Sequence, residues 1–130
     1  MGLTPTTAEA VADALRAASD EHRHVTTTGG GTRSRNGRHA DPGTNLSTAG
    51  LHHVIEHTPA ELTVTLEAGL HATELADRLS AAGQWWPQAD IRPGSTVGGI
   101  LATAASGRGR LRHGPVRDSL LEVEIGRAHV

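Results

Sequence analysis

Glycine sets the strongest constraint on how this chain can fold. The sequence has 16 glycines among 130 residues, and they cluster at 29–31, 94–99 and 107–114. Glycine has no Cβ, so it permits backbone conformations and close approaches that other residues exclude. The sequence therefore predicts loops whose main chain lies against a partner group.

The composition predicts a single small domain with a thin core. Apolar residues make up 36% of the chain, with no Phe or Tyr and two Trp, so the domain is expected to be marginally stable alone. A net charge of -2 argues against a strongly basic nucleic-acid binder. The lack of Cys excludes disulfides, and no apolar run is long enough to span a membrane. We expect a soluble, cytoplasmic protein.

Local patterns predict an α+β order of elements. A capping box at Thr6 and Glu9 predicts a helix over 7–19, and alternating apolar residues predict a half-buried strand over 62–68 that ends at Gly69. The other predicted elements are a strand at 24–28, weaker strands at 45–47 and 53–56, a helix at 72–83 with Gly83 as its C-terminal stop, and a last strand at 120–125.

The first glycine run follows the predicted strand at 24–28. Gly29, Gly30 and Gly31, followed by Thr32, can present consecutive backbone amides to one anion, and phosphate is the natural guest. The common phosphate motifs are absent, because the chain has no Lys for a P-loop and no G-x-G-x-x-G between a strand and a helix. On its own, this run fits a flexible turn equally well.

The second glycine segment decides between these interpretations. It reads GSTVGGILATAASG over 94–107. Together with Thr28-Gly29-Gly30-Gly31-Thr32-Arg33, it resembles the FAD-binding domain of the vanillyl-alcohol oxidase and p-cresol methylhydroxylase (PCMH) type, over about residues 7–124. Within that superfamily the chain is most similar to the FAD-containing subunit of glycolate oxidase and to the D-lactate dehydrogenases. The resemblance implies two α+β subdomains with FAD between them.

The resemblance also implies which residues contact FAD. Main-chain amides of both loops are expected to hold the pyrophosphate, and Gly98 and Gly99 are expected to let the backbone approach the dinucleotide. The full set of implied FAD contacts is Gly29, Gly30, Gly31, Thr32, Arg33, Gly94, Ser95, Thr96, Val97, Gly98, Gly99, Thr103, Ser106, Gly107, Gly114 and Val116. Some relatives attach FAD through a His close to the first glycine run. Because Arg33-Ser34-Arg35 stands there in this chain, we expect non-covalent binding.

The implied reaction is hydride transfer from a small 2-hydroxy acid, such as glycolate or D-lactate, to FAD. Residues 1–124 are expected to be a partial domain, with a first subdomain over about 7–90 and the start of a second, truncated one over 91–124. Residues 125–130 look like a translated sequencing adapter and are interpreted as an artefact. The fragment alone is expected to be inactive. Catalytic residues stay unassigned, the substrate is expected to bind through a C-terminal region, and other oxidase subunits are candidate partners.

Two other motifs suggest different chemistry. His53-Val54-Ile55-Glu56-His57 spells the H-x-x-E-H zinc motif, but that motif needs a helix, and Thr58-Pro59 ends any helix there. Surface histidines on a strand are favoured, so no metal is expected. Arg108, Arg110 and Arg112 form a basic loop, interpreted as solvated or as lying near FAD phosphates or a partner subunit. A nucleic-acid contact is disfavoured, because no aromatic residue is nearby in sequence.

Three further residues have both a structural and a functional interpretation. Trp85 and Trp86 are interpreted as core residues rather than as a ligand site, and Asp118 as a turn or cap residue. Two alternative functions remain open. One is an FAD-linked oxidase acting on a lactone or a sugar alcohol, and the other is a non-enzymatic module that binds nucleotide phosphates with the same loops.

Overall fold

Two small sheets and two longer helices organise the fold. The structure, a computed structural model, describes residues 2–36 and 43–125. Its strands and helices in chain order are β1 (Gly2–Leu3), α1 (Ala8–Asp20), β2 (Val25–Thr28), β3 (Thr44–Ser47), β4 (Val54–Thr58), β5 (Thr63–Leu66), α2 (Ala72–Ala81), α3 (Val97–Ala102) and α4 (Arg110–His113). Short 3-10 helices lie at Thr48–Gly50, Pro59–Glu61 and Val116–Ser119. The predicted α+β order is therefore present.

The first sheet is parallel and the second is an antiparallel hairpin. Strand β3 lies between β1 and β2, and Val25 pairs with Thr44. Strands β4 and β5 pair from Val54 opposite Leu66 to Thr58 opposite Thr63. Both weaker strand predictions are confirmed, at β3 and β4. The H-x-x-E-H segment thus lies largely on a strand, where its histidines do not share a helix face.

Helix capping explains where α1 and α2 begin or end. The cap of α1 is Thr7, whose side-chain oxygen accepts from the amide of Ala10 at 3.1 Å, so the prediction of Thr6 was wrong by one residue. Thr7 has the extended backbone that places its hydroxyl beneath the first turn. Gly83 follows α2 with a φ of +70°, which confirms it as the stop.

Strand β5 is shorter than its alternating pattern predicted. Leu62 has a φ of 57° and is 80% exposed, because it closes the 3-10 turn by donating its amide to the carbonyl of Pro59. Val64 and Leu66 pack against the core as predicted. The alternating apolar pattern therefore starts at Leu62, one residue before the strand itself begins.

The predicted strand over 120–125 is wrong within the described residues. This segment has no regular secondary structure, and Leu121 is 83% exposed. An alternating pattern forms a strand only where a neighbouring strand satisfies its amides and carbonyls. No described strand pairs with this segment.

The core joins α2 to α3 beneath the second glycine segment. One buried cluster contains Leu70, Leu75, Leu79 and Val97, and a second contains Ala72, Ile100 and Val116. Trp86 packs against both clusters and donates from Nε1 to Ser119 Oγ at 2.8 Å, which confirms it as a core residue. Trp85 is mostly exposed, so the same prediction was wrong for it. None of the described helices is long and apolar enough to cross a membrane.

Candidate functional site

The two glycine segments meet at one cleft of about 630 Å³. This volume falls in the range of ~300–1,000 Å³ that is usual for small-molecule sites. The first loop, the start of α3, the end of β5 and the chain near 120–125 line it. The cleft residues are Thr27, Thr28, Gly29, Gly30, Gly31, Thr32, Arg33, Ser34, Thr48, Leu66, Ala68, Thr96, Val97, Gly98, Gly99, Leu101, Ala102, Thr103, Leu120, Val123, Glu124 and Ile125.

The first loop offers backbone donors to this cleft. The amides of Gly30, Gly31 and Thr32 donate no hydrogen bond to any group in the described part of the chain. Gly31 has a φ of +71°, a conformation that favours glycine. The amide of Ser34 then closes the turn by donating to the Gly31 carbonyl at 3.3 Å. Successive unpaired amides of this kind form an anion-binding concavity.

Glycine is also needed where the two loops touch. A Cβ at Gly30 would overlap the carbonyl oxygen of Gly94, and one at Gly29 would overlap the Thr96 hydroxyl. The sequence interpretation attributed these glycines to approach by a ligand alone. The structure adds a second reason, because they let the second loop pack directly on the first.

Three successive amides at the start of α3 are already paired within the protein. The Val97 amide donates to the Leu70 carbonyl at 3.0 Å, and the Gly98 amide donates to the Ala68 carbonyl at 2.8 Å. The Gly99 amide donates to Thr96 Oγ1 at 3.1 Å, which caps α3. A Cβ at Gly98 would lie 2.8 Å from Ala68, so that glycine serves packing as well. The amides of Val97, Gly98 and Gly99 are therefore not free for a ligand, whereas those of Gly30, Gly31 and Thr32 have no partner among the described residues.

Several predicted contact residues do not line the cleft. Ser95 is buried and bonded to Arg92, and Gly94 forms a turn with a φ of +80°. Ser106 Oγ accepts from the Val116 amide at 3.3 Å, and Val116 belongs to the core. Gly107 packs on the Ala89 carbonyl, and Gly114 lies against the carboxylate of Asp118, which is in a 3-10 turn.

The cleft does bring together ten of the predicted residues, which are Gly29, Gly30, Gly31, Thr32, Arg33, Thr96, Val97, Gly98, Gly99 and Thr103. Thr103 Oγ1 donates to the Gly99 carbonyl at 2.7 Å. The roles of all these residues as cofactor contacts stay predictions. The sequence did not predict Thr48, Leu66 and Ala68 as site residues. The predicted strand that ends at Gly69 was a signal for Leu66 and Ala68, whereas Thr48 had none.

The guanidinium of Arg33 is bound by the protein itself. It donates to the main-chain oxygen of Asp90 at 2.6 Å and to Asp90 Oδ2 at 3.1 Å, and its side chain is only 8% exposed. Arg92 Nε also donates to Asp90 Oδ2, at 2.8 Å. Partial burial raises the pKa of Asp90, but the hydrogen bonds and charges of Arg92 and Arg33 outweigh it, so the pKa lies below its ordinary value.

The zinc motif does not form a metal site in the described part of the chain. Among residues 2–36 and 43–125, no three His, Asp or Glu side chains are grouped to hold a metal. Arg110 and Arg112 lie on the short helix α4, whose His113 ring meets Trp85 edge-on at 5.7 Å. Trp85 therefore lies beside the basic segment in three dimensions, although it is distant in sequence. A single aromatic contact does not by itself make a base-stacking surface.

The geometry agrees with the comparison to known families. A family model described as FAD binding domain matches residues 2–128. The chain belongs to this family. The FAD binding domain is 28% identical over 127 residues to D-lactate dehydrogenase [cytochrome] 1, mitochondrial, of Saccharomyces cerevisiae, covering 95% of the chain and 22% of that relative. It is 32% identical over 65 residues to D-lactate dehydrogenase [cytochrome], mitochondrial, of Arabidopsis thaliana, covering 50% of the chain and 11% of that relative.

Solved structures share the fold at low identity. The 6-hydroxy-D-nicotine oxidase of Arthrobacter nicotinovorans superposes with a TM-score of 0.78 at 17% identity, over 90% of the chain and 25% of that protein. An alkyldihydroxyacetonephosphate synthase gives 0.74 at 20% identity, over 92% and 23% respectively. The predicted PCMH-type α+β fold is confirmed, in agreement with the match to the FAD binding domain family. The chain spans about a quarter or less of each of these relatives.

The described residues fit FAD. The cleft combines three unpaired amides, suited to a pyrophosphate, with apolar side chains such as Leu66 and Leu101, suited to a flat ring. A Cβ at Gly29 or Gly30 would overlap the neighbouring loop, and Gly31 has a positive φ that L side chains rarely adopt.

Proposed function

We propose that this FAD binding domain serves an oxidoreductase that oxidises a small 2-hydroxy acid such as D-lactate or glycolate. The observation that carries the proposal is the similarity to a yeast D-lactate dehydrogenase over 95% of the chain. Bound FAD supplies hydride acceptance, which no side chain can provide. The chain's own part is to bind and orient the cofactor.

Each wall of the cleft has a distinct task in this proposal. The amides of Gly30, Gly31 and Thr32 bind the cofactor phosphates. Leu66 and Leu101 cover an apolar part of the cofactor and exclude water from it. Thr96 holds the first turn of α3, so that the wall opposite the first loop keeps its shape.

Cofactor binding in this proposal is non-covalent. Covalent flavin links need a nucleophilic side chain such as Cys, Tyr or His. The sequence has no Cys or Tyr, and none of the described cleft residues is His. Arg33 stands next to the glycine run, and its guanidinium is bonded to Asp90.

Substrate binding is proposed to lie outside this chain. The yeast relative is several times longer, since the chain covers 22% of it. The groups that orient the hydroxy acid and remove its proton are therefore proposed to come from the rest of the natural polypeptide or from other subunits. The cytoplasmic location, the subdomain boundary near 90 and the artefact at 125–130 stay predictions, and residues 126–130 lie outside the described residues.

Anaerobic reduction of the natural full-length polypeptide tests the substrate class. We expect D-lactate or glycolate to bleach the visible flavin absorption, with L-lactate as the matched control for a stereospecific site. Bleaching by an aldonolactone or a sugar alcohol alone would replace the proposal with the alternative oxidase. Purification without flavin, and no uptake of added FAD, would favour a module that binds only nucleotide phosphates.

A further inference from the structure

One carboxylate oxygen receives two arginines beside the cofactor cleft. Asp90 Oδ2 accepts from Arg33 at 3.1 Å and from Arg92 Nε at 2.8 Å. Arg33 also donates to the Asp90 main-chain oxygen at 2.6 Å. Charge-assisted bonds of this kind are stronger than neutral ones and fix geometry, so the three residues form one unit.

Each arginine belongs to a different glycine loop. Arg33 directly follows the amides of Gly30, Gly31 and Thr32, and its Nη1 donates to Thr32 Oγ1 at 3.3 Å. Arg92 is tied to the second loop, because its amide donates to Ser95 Oγ at 3.1 Å and Ser95 Oγ donates to the Arg92 carbonyl at 2.7 Å. The Asp90 carboxylate therefore joins the two loops through their arginine side chains.

The backbone of Asp90 is itself anchored. Its amide donates to the Ala105 carbonyl at 2.8 Å, and the neighbouring Ala89 pairs with Ser106. A carboxylate on a fixed backbone can hold mobile guanidinium groups in place. The close contact of Gly30 with Gly94 then depends on this support as well as on the absence of a Cβ.

We propose that Asp90 is a positioning residue for FAD, which acts through Arg33 and Arg92 to hold the unpaired amides of the first glycine loop against the second loop. Asp90 does not line the cleft. The buried guanidinium of Arg33 is bonded to Asp90 and is therefore not free to contact a phosphate. The inference rests on the cofactor site proposed above.

The test is the FAD dissociation constant of the full-length apoprotein, followed by quenching of flavin fluorescence. We expect Asp90→Asn to weaken FAD binding about 10-fold, since it removes the charge from both pairs. Asp90→Glu should recover part of the affinity. The double variant Asp90→Asn with Arg33→Met should bind FAD only slightly more weakly than the single variant with the larger loss of affinity, because the two residues act through one contact.

A matched control is Asp13→Asn, which removes an ion pair with Arg16 on α1 where the Asp13 side chain is 72% exposed. It should leave the FAD dissociation constant unchanged. An unchanged dissociation constant in folded Asp90→Asn would overturn the proposal. So would a lower melting temperature of the apoprotein without weaker FAD binding, because Asp90 would then be purely structural.

If Asp90→Asn does not fold, Arg92→Gln provides the milder variant, because the Arg92 side chain is more than half exposed. We expect several-fold weaker FAD binding, and unaltered affinity would overturn the proposal. The substrate proposal fails separately. A wild-type protein that binds FAD but is not reduced by 2-hydroxy acids would refute the substrate class and leave the role of Asp90 standing.

Discussion

The main chain of Gly30 lies directly against the carbonyl oxygen of Gly94, which leaves no room for a Cβ between the two loops. This contact sets the separation between the unpaired amides of the first loop and the start of α3. Glycine at position 30 therefore shapes the cleft before any ligand enters it.

Replacing Gly30 by Ala should force the loops apart. We expect a loss of about 1–3 kcal/mol in the free energy of unfolding, as in other overpacked sites, together with weaker FAD binding. Denaturant unfolding and FAD titration measure the two effects. Gly2→Ala is the matched control, because a Cβ there meets nothing within 4 Å, and it should change neither quantity. A Gly30→Ala protein as stable as the wild type would contradict the contact.

Much of this site could be predicted because glycine is needed for its backbone. The two glycine segments marked the loops, and the cleft brings Gly29–Arg33 together with Thr96–Gly99. The contact of Gly30 with Gly94 and the bond from Arg33 to Asp90 could not be predicted. Each joins residues far apart in sequence, and no local pattern encodes which distant group a side chain will meet.

Secondary structure was predictable where the determinants are local. Gly83 ended α2 as expected, because a left-handed stop needs only its own residue. The alternating apolar residues wrongly predicted strand at Leu62 and at 120–125, because a strand also needs a neighbouring strand to pair with. Leu62 instead closes a turn, and 120–125 has no described neighbour strand.

Thr96 should stabilise the cleft through its cap on α3. Its hydroxyl accepts from the Gly99 amide, so Thr96→Val keeps the shape but should cost about 1 kcal/mol of unfolding free energy and weaken FAD binding. Thr96→Ser should retain both properties. The control is Thr7→Val, which removes the corresponding cap from α1. We expect both variants to lose stability and only Thr96→Val to bind FAD more weakly. Equal FAD affinities of Thr96→Val and Thr7→Val would contradict this prediction.

Acid should remove part of the stability through two carboxylates. The His53 amide, which donates to Glu67 at 2.8 Å, lowers the pKa of Glu67 and outweighs the opposing effect of burial. The arginines lower the pKa of Asp90 despite its partial burial. A lowered folded-state pKa stabilises the fold above the ordinary values of 4.5 and 3.8, and this contribution is lost as the pH falls through the folded-state values.

The unfolding free energy should therefore drop in acid, and less steeply in Glu67→Gln and Asp90→Asn. Denaturant unfolding at a series of pH values from neutral to below 4 measures the slope. The control variant is Asp13→Asn, which removes an exposed ion pair on α1 and alters neither of these two carboxylates. Identical slopes in all four proteins would show that neither carboxylate carries the acid sensitivity.

Flavin should leave the protein when the fold is destroyed. None of the described cleft residues is His, and the sequence has no Cys or Tyr, so we expect the flavin to be bound without a covalent link. Acid precipitation of the purified flavoprotein should leave all visible flavin absorption in the supernatant. As a comparison, Arg33→His places a nucleophile beside the first glycine run while removing the bond to Asp90, and it should bind FAD more weakly without retaining it after precipitation. Flavin that stays with the wild-type precipitate would contradict non-covalent binding.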